Sequence, residues 1–178
     1  YIQGRATFAS SQTLAVDLDD DSDLPAVIGF RYAIIATGSR PSKPAALILD
    51  DARVLDSTSA LELEEIPSSL LVVGGGYIGL ELGTVYAALG TAVTLVELTK
   101  GLLPGADADL VRVLERRVGR IAEAIYLETQ VAGLTAATDG IDVSLKDVNG
   151  SVRRERFKKV LIAVGRQPNS GLVGLENT

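Results

Sequence analysis

Three glycines, Gly74, Gly76 and Gly79, follow the spacing G-x-G-x-x-G inside an apolar segment that runs from residue 70 to residue 97. A glycine at the first position permits a tight turn out of a strand, and one at the second lets the backbone approach a pyrophosphate without an intervening Cβ. The third lets the following helix pack closely on the strand, and the start of that helix directs N–H groups and partial positive charge at an anion. The spacing therefore predicts a phosphate-binding turn.

A carboxylate completes this pattern, because Glu97 comes 18 residues after Gly79. The βαβ unit that we predict here comprises strand 70–73, turn 74–76, helix 77–89, a turn at Gly90 and strand 92–97. An acidic side chain at the end of the second strand accepts hydrogen bonds from the adenine-side ribose hydroxyls and repels a 2′-phosphate. The sequence favours NAD over NADP, also because residues 98–100 contain no arginine.

Other interpretations of this segment stay open at the level of sequence. The glycines also suit a buried glycine-rich hairpin, and Glu97 also suits a solvated strand end. Tyr77 and Glu81 lie in the first turns of the predicted helix, where a surface aromatic and an exposed carboxylate are equally ordinary. A membrane span is disfavoured, because Glu81 and the glycines interrupt the apolar run.

Composition excludes several kinds of chemistry within the chain. Its 178 residues include no Cys and no His, which excludes a thiol redox centre, a histidine acid or base and a zinc site of the usual ligands. The net charge of −6 argues against a nucleic-acid partner, and RRERFKK (153–159) alternates as a solvated edge strand does. The lack of cysteine fits a reducing compartment, and we expect a cytoplasmic protein or, in a eukaryote, one of the mitochondrial matrix.

The remaining sequence favours an α/β fold, with a Rossmann-like parallel sheet and an added antiparallel β-meander. Before the βαβ unit we predict strands 1–8, 13–20 and 26–39, an acidic turn at 19–25, and a helix over 56–67 with Ser57, Thr58 or Ser59 as its N-cap. After it we predict a helix over 107–125, a strand at 125–129 and the meander over 131–165, with turns at Asp139-Gly140 and Asn149-Gly150. The apolar face predicted for the second helix comprises Leu110, Val113, Leu114, Val118, Ile121 and Ile125.

Four stretches, AIIATGSRP, VLDSTSALELEEIPSSLLVVGGGYIGLELGTVYAALG, VTLVE and VLIAVGRQPN, resemble in this order the pyridine nucleotide-disulfide oxidoreductases. The resemblance covers nearly the whole chain and is nearer to the dihydrolipoamide dehydrogenase branch than to the glutathione or mercuric reductase branches. In that family an NAD domain is inserted into an FAD domain. The resemblance implies that residues 1–40 are a β-meander of the FAD domain, residues 41–163 the NAD domain, and residues 164–178 a return segment to the FAD domain.

The resemblance also implies which residues line each cofactor. The residues that match NAD-lining positions are Gly74, Gly75, Gly76, Tyr77, Ile78, Gly79, Glu81, Glu97, Val131, Ala163, Val164, Gly165 and Arg166. Those that match FAD-lining positions are Gly4, Thr37, Gly38 and Ser39. In some relatives the residue that Tyr77 matches covers the flavin ring. Glu81 matches a carboxylate near flavin and nicotinamide, whose lysine partner does not occur in this chain.

Several motifs of the family do not occur in the sequence: the redox cysteine pair, the first FAD fingerprint, the flavin Gly-Asp motif and the His-Glu acid/base pair. We therefore expect a fragment, inactive alone, with no catalytic residue of its own. The resemblance implies a homodimeric parent that passes electrons from a dihydrolipoyl group on a carrier protein through a disulfide and FAD to NAD. An NADPH-dependent disulfide or mercuric reductase, a redox-inactive homologue and a non-catalytic nucleotide-binding module are the alternatives.

Overall fold

The computed structural model describes residues 1–18 and 26–178, so the acidic turn predicted at 19–25 lies outside the described residues. The chain divides into two compact units: unit 1 comprises Tyr1–Arg40 and Arg166–Thr178, and unit 2 comprises Pro41–Gly165. The strands are β1 (Gly4–Ser10), β2 (Thr13–Leu18), β3 (Val27–Gly29), β4 (Ser39–Pro41), β5 (Val54–Leu55), β6 (Ser69–Val73), β7 (Ala92–Val96), β8 (Ala124–Tyr126), β9 (Gln130–Ala137), β10 (Gly140–Lys146), β11 (Val152–Phe157), β12 (Lys159–Ile162) and β13 (Arg166–Pro168). The α-helices are α1 (Tyr77–Ala88) and α2 (Ala108–Ile121), and 3-10 helices span Ala45–Leu47, Ser59–Leu61, Asn169–Leu172 and Leu175–Asn177.

Unit 2 is built on a five-stranded parallel sheet in the order β5-β12-β6-β7-β8. Along β6, Leu70 and Val72 pack with the two helices, whereas Leu71 and Val73 pack on the opposite face, and none of the four is more than 6% exposed. A strand that is covered on both faces needs an unbroken apolar run, because successive side chains point to opposite sides. The predicted α/β class and parallel sheet are confirmed.

A three-stranded antiparallel sheet in the order β11-β10-β9 covers the second face. Ile141, Val143 and Leu145 alternate along β10, are at most 1% exposed and pack with Leu71 and Val73 of the parallel sheet. The charged strand β11 lies at an edge of the antiparallel sheet. The predicted meander and solvated edge strand are therefore confirmed up to Phe157. The prediction is wrong for residues 159–165, because Lys159–Ile162 form β12, which pairs in parallel with β5 and β6 inside the five-stranded sheet.

The βαβ unit lies within one residue of its predicted bounds. Strand β6 leads into α1, and Gly90, whose φ is +100°, ends the helix before β7. The Tyr86 hydroxyl donates a hydrogen bond to the Ala60 carbonyl at 2.8 Å, in a buried position. This bond attaches the last turn of α1 to the segment before β6.

Unit 1 contains an antiparallel meander, β1-β2-β3, and a two-stranded sheet of β4 and β13. Phe8 is buried and its ring meets that of Phe30 edge to face, with centroids 5.7 Å apart. The backbone N–H of Phe8 donates to the Val173 carbonyl at 2.8 Å, and its carbonyl accepts from the Asn177 side chain at 2.8 Å. The C-terminal residues are thereby attached to β1.

The helix predicted over 56–67 is wrong. Only the short 3-10 helix Ser59–Leu61 forms there, and the side chain of Asp56, not one of the predicted caps, accepts bonds from the N–H groups of Thr58 and Ser59. Leu63 then adopts a positive φ of 48°, which a continuing helix does not allow. A helix of about 12 residues is stable only when neighbouring elements bury its apolar face. Leu61 is 68% exposed, so the segment lacks that support.

The third strand predicted for the N-terminal meander, over 26–39, is also wrong beyond Gly29. Residues 30–38 pair with no strand among the described residues, and Tyr32 and Ile34 are 89% and 95% exposed. A β-branched run forms a strand only where a neighbour takes up its backbone hydrogen bonds. Local composition therefore overestimated the length of this strand.

Helix α2 begins near its predicted start but ends at Ile121, four residues early, so Ile125 belongs to β8. Its buried face is also rotated from the prediction. Val111 and Val118 are buried, whereas Leu110 and Val113 are 66% and 59% exposed. Apolar residues on adjacent positions allow two overlapping stripes of helical period, and packing on the sheet selects the stripe that contains Val111.

Two results concern the described residues alone. Within them, no helix is both long enough and apolar enough to cross a membrane. Their acidic side chains also form no group of three or more that could hold a metal ion.

Candidate functional site

The glycine turn lies at the C-terminal edge of the parallel sheet, beside the ends of β7 and β12. The Gly74 N–H donates to the Val96 carbonyl at 2.8 Å, and the Gly74 φ of +108° is readily adopted only by glycine. A Cβ on Gly74 would overlap the carbonyl of Ala163. Both the turn and the backbone packed against it therefore require glycine at this position.

Gly79 allows close packing of α1 on the sheet. A Cβ there would overlap the Gly74 carbonyl and lie 3.1 Å from Cγ1 of Val72. One turn further along, a Cβ on Gly83 would come no closer than 3.5 Å to Val72, which is ordinary contact. The requirement for glycine is thus steric at Gly79 and weak at Gly83.

Gly76 differs from its two neighbours in the motif. Its φ of −76° and ψ of 176° suit any residue, and a Cβ built on it meets no atom within 4 Å. Neither backbone strain nor packing explains a glycine here. Gly76 precedes α1, and no side chain caps the N-terminus of this helix. Open space therefore lies next to uncapped helical N–H groups, an arrangement that favours an anion.

Glu97 is attached directly to the glycine turn. It is only 8% exposed, its Oε2 accepts from the Gly75 N–H at 2.7 Å, and its Oε1 accepts from the N–H and the hydroxyl of Thr99, both at 2.8 Å. The alternative of a solvated strand end is therefore wrong. These three donors take most of the roughly four acceptor positions that a carboxylate offers.

The hydrogen bonds also determine the charge of Glu97. Burial raises the pKa of its carboxyl group, but the bonds from Gly75 and Thr99 together lower it by more, and the net pKa lies below the ordinary value for glutamate. Glu97 is therefore ionised at neutral pH, with its negative charge beside the turn.

The segment after Glu97 was not singled out by the sequence. We call residues 98–103 the strap. The Leu103 N–H donates to the Gly75 carbonyl at 2.9 Å, and a Cβ on Gly75 would lie 2.7 Å from Cδ2 of Leu102. The Thr99 hydroxyl also lies 2.9 Å from the Gly101 carbonyl. The one sequence signal for this contact is the position of the strap directly after Glu97, the acidic residue that follows β7.

The first turns of α1 present two exposed side chains. Tyr77 is 63% exposed and Glu81 is exposed, and the spacing of four residues places them on the same face of the helix. Ile78 is partly buried and packs on the core at the helical face of the sheet. Exposure leaves Tyr77 and Glu81 available for a ligand without establishing one.

Four more residues predicted to line NAD lie around the same sheet edge. Ala163 follows β12, donates its N–H to the Val73 carbonyl at 2.8 Å and places its own carbonyl against Gly74. Val164 is 40% exposed, and the Gly165 carbonyl accepts from the Ser42 N–H at 3.0 Å. Val131 is buried near the start of β9; two residues earlier, the Thr129 N–H donates to the Glu97 carbonyl at 3.0 Å.

The residues predicted to line FAD, and Arg166, lie in unit 1. The Arg166 side chain donates to the hydroxyl of Ser39 at 2.7 Å and to its carbonyl. Asn169 donates from its side chain to the Thr37 carbonyl and from its backbone to the Gly38 carbonyl, both at 3.0 Å. These bonds connect residues 37–39 with the C-terminal segment of unit 1. Gly4 lies at the start of β1, where a Cβ would overlap the Asp17 carbonyl of β2.

The βαβ unit with its glycine turn and terminal acid defines a Rossmann-type α/β protein, and comparison with known proteins identifies the family. The sequence profile of the pyridine nucleotide-disulphide oxidoreductases matches residues 2–178. The chain therefore belongs to that family, as the resemblance in sequence predicted.

The relatives specify the branch. The chain is 44% identical over 174 residues to a dihydrolipoyl dehydrogenase of Haemophilus influenzae, covering 97% of this chain and 35% of the relative. It is 41% identical over 172 residues to that of Vibrio parahaemolyticus, with coverage of 97% and 35%. The chain is thus an oxidoreductase-family domain similar to dihydrolipoyl dehydrogenase, and it spans little more than a third of these relatives' length.

Solved structures agree with this assignment. The HOCl-induced flavoprotein disulfide reductase RclA from Escherichia coli superposes with a TM-score of 0.80 at 28% identity, covering 99% of this chain and 38% of that one. LpdA from Mycobacterium tuberculosis gives a TM-score of 0.80 at 25% identity, with the same coverage.

Proposed function

We propose that unit 2 binds NAD(H) at the glycine turn, within an FAD-dependent oxidoreductase similar to dihydrolipoyl dehydrogenase. The observation that carries this proposal is the contrast between Gly76 and its neighbours. Gly74 and Gly79 are required by the fold, whereas Gly76 faces open space beside an uncapped helix N-terminus. A glycine that the protein does not need for itself is explained by a ligand that passes close to its backbone.

The pyrophosphate fits this position for electrostatic reasons. The amides of the first turn of α1 and the helix dipole supply donors and partial positive charge, so no cationic side chain is needed. The turn itself is held by the bonds from Gly74 to Val96 and from Gly75 to Glu97. A preformed turn of this kind loses little entropy when it binds an anion.

The adenine-side ribose is the proposed partner of Glu97. An ionised carboxylate accepts a hydroxyl and repels a 2′-phosphate, which supports NAD over NADP. Three donors already occupy Glu97. We therefore propose one strong ribose bond to this carboxylate, and a second only if Gly75 or Thr99 gives up its own bond.

The nicotinamide end is assigned by the resemblance. Tyr77, Glu81 and residues 163–166 match the positions that line it, and the exposure of Tyr77 and Glu81 is compatible with that role. Nicotinamide and flavin supply the hydride chemistry when bound, and these side chains would orient the nicotinamide and exclude water from it.

The role of the parent protein is likewise proposed. Residues 37–39 and Gly4 are assigned to FAD by the resemblance. The name of the dihydrolipoyl dehydrogenases to which the chain is similar supports a parent that oxidises a dihydrolipoyl group. The carrier protein, NAD as the final acceptor and a homodimeric assembly are assigned by the resemblance in sequence.

The test is a titration of the 178-residue chain with NADH and with NADPH, followed by nicotinamide fluorescence. We expect NADH to bind more tightly than NADPH. Gly76→Val should raise the Kd for NADH at least about tenfold, because the side chain fills the space that the pyrophosphate needs.

A matched control is Gly119→Val in α2, where a Cβ also meets no atom within 4 Å. Valine and glycine differ little in helix propensity, so this variant should keep both its fold and its NADH affinity. Equal affinity of the wild-type chain for the two nucleotides, or unchanged NADH binding by Gly76→Val, would contradict the proposal. A preference for NADPH would instead favour an NADPH-dependent reductase.

A further inference from the structure

Thr99 contributes two of the three donors to Glu97. Its N–H and its hydroxyl both lie 2.8 Å from Oε1, on the side opposite the Gly75 N–H that donates to Oε2. A carboxylate is planar, so fixing one oxygen fixes the direction of the other. The orientation of the Glu97 carboxylate towards the glycine turn therefore depends on Thr99.

The Thr99 hydroxyl has two acceptors in reach but one proton to donate. The Glu97 carboxylate lies at 2.8 Å and the Gly101 carbonyl at 2.9 Å. Hydrogen bonds to an ionised acceptor are stronger than those to a neutral one. The carboxylate of Glu97 is therefore the preferred acceptor of the Thr99 hydroxyl, ahead of the Gly101 carbonyl in the strap.

The strap also fixes the peptide group between Gly75 and Gly76. The Leu103 N–H holds the Gly75 carbonyl at 2.9 Å, and in a planar trans peptide the following N–H points the opposite way. The direction of the Gly76 N–H is thus set by the same loop that contains Thr99. Glu97 therefore holds the N–H of Gly75, and the strap that follows Glu97 holds its carbonyl.

We propose that Thr99 is a positioning residue that sets the preference for NAD over NADP by holding the Glu97 carboxylate against the glycine turn. This inference rests on the proposed NAD(H) site. With Thr99 in place, Glu97 has a fixed direction and a fixed negative charge where a 2′-phosphate would lie. Without its hydroxyl, the carboxylate can rotate away from the ribose and takes up a proton more readily.

A purely structural role does not account for this arrangement. Thr99 is exposed, and it packs in neither buried apolar cluster of unit 2. Loss of its hydroxyl should therefore leave folding nearly unchanged. The loss of the hydroxyl should mainly change the difference in affinity between NADH and NADPH, which differ by one phosphate.

The experiment compares Thr99→Val, which removes the hydroxyl at constant shape, with Thr99→Ser, which keeps it. Thr135→Val, at an exposed position of β9, is the matched control. The Kd values for NADH and NADPH are measured on the 178-residue chain. The exchange rate of the Gly75 amide proton is measured by NMR without nucleotide.

We expect Thr99→Val to reduce the ratio of the NADPH Kd to the NADH Kd by about tenfold, as loss of one hydrogen bond to a charged group predicts. Its Gly75 amide should exchange faster, while Thr99→Ser and Thr135→Val keep the wild-type ratio and exchange rate. A Thr99→Val ratio equal to wild type, or an equal loss in Thr99→Ser, would overturn the inference.

Failure of the proposed function gives a different result. If the wild-type chain binds neither nucleotide, both the proposed NAD(H) site and the proposed role of Thr99 in selectivity are wrong. Faster exchange of the Gly75 amide in Thr99→Val would then still support positioning of the turn by Thr99, and unchanged exchange would overturn that as well.

Discussion

The glycine turn and the outer strand of the antiparallel meander each donate hydrogen bonds to a carboxylate, which is buried at the turn and exposed at the strand. At the turn, Glu97 is 8% exposed and accepts three hydrogen bonds from its own chain within 2.8 Å. On β11, Arg156 donates two bonds to Asp142 at 2.6 and 2.9 Å, yet the two side chains are 53% and 36% exposed. The geometry is good in both places, and the surroundings differ.

This contrast separates geometry from energetic importance. Water competes with Arg156 for Asp142, so the pair adds little to stability. Water is largely absent around Glu97, so the removal of its charge leaves donors without an acceptor. Bond lengths alone would rank the two sites equally, whereas burial predicts that only the turn is sensitive. Three substitutions sharpen this comparison, from the largest expected effect to the smallest.

The largest effect is expected from Gly79→Ala, which acts on the backbone packing under the turn. Its Cβ would overlap the Gly74 carbonyl, and a backbone atom cannot yield as a flexible side chain can. Helix α1 must then shift from β6. We expect the free energy of unfolding to fall by about 3 kcal/mol, measured by urea denaturation.

Gly83→Ala is the control, since it lies one turn along the same helix over the same Val72. Its Cβ would make only ordinary contact at 3.5 Å. This variant should be neutral or more stable by up to about 1 kcal/mol, because alanine favours a helix over glycine. Similar losses in both variants would show that helix packing as a whole, and not the turn, is sensitive.

The βαβ unit was predictable because its signals are local. An apolar run, a glycine turn, a helical period and an acid follow one another within 28 residues, and the structure places β6, α1 and β7 within one residue of the predicted bounds. The meander was predictable for the same reason, through its two Gly-containing turns. The assignment of individual residues to NAD and FAD stays a prediction, since local pattern does not establish a ligand.

The failures arise where the outcome depends on distant contacts. Residues 56–67 have helical composition, but Leu61, Leu63 and Ile66 stay exposed, so no apolar face of this segment packs well enough to hold a helix. The stripe of α2 that faces the sheet is selected by packing, which local periodicity left ambiguous between Leu110 and Val111. The strap was missed because its role comes from Leu102 and Leu103 reaching back to Gly75.

The second effect is expected from Glu97→Gln, which keeps the shape of the side chain and removes its charge. The amide keeps one acceptor oxygen and replaces the other with an NH2 donor, which then faces a donor of Gly75 or Thr99. We therefore expect a loss of about 2 kcal/mol in the free energy of unfolding at pH 7. NADH should also lose its advantage over NADPH. Urea denaturation and the two nucleotide titrations measure these effects.

The pH dependence of the Glu97→Gln effect provides a check. The pKa of Glu97 is lower in the folded chain than in the unfolded one, so its stabilisation is fully present above the unfolded pKa, near 4.5. It should disappear as the pH falls through the folded pKa. The difference between wild type and Glu97→Gln should therefore shrink below about pH 4.5. A difference that stays constant down to pH 3 would show that the charge of Glu97 is not what stabilises the turn.

The smallest effect is expected from Asp142→Asn on the meander, although it breaks the bidentate pair with Arg156. The Arg156 guanidinium holds the pKa of Asp142 below its ordinary value, but both side chains remain in water. We expect nearly the same urea midpoint as wild type at low salt and no measurable difference in 1 M NaCl, where exposed charges are screened. Glu97→Gln should lose the same stability at both salt concentrations, because Glu97 is itself buried and its partners carry no charge that salt could screen. If Asp142→Asn destabilised the chain as much as Glu97→Gln, hydrogen-bond geometry and not burial would decide which carboxylate matters.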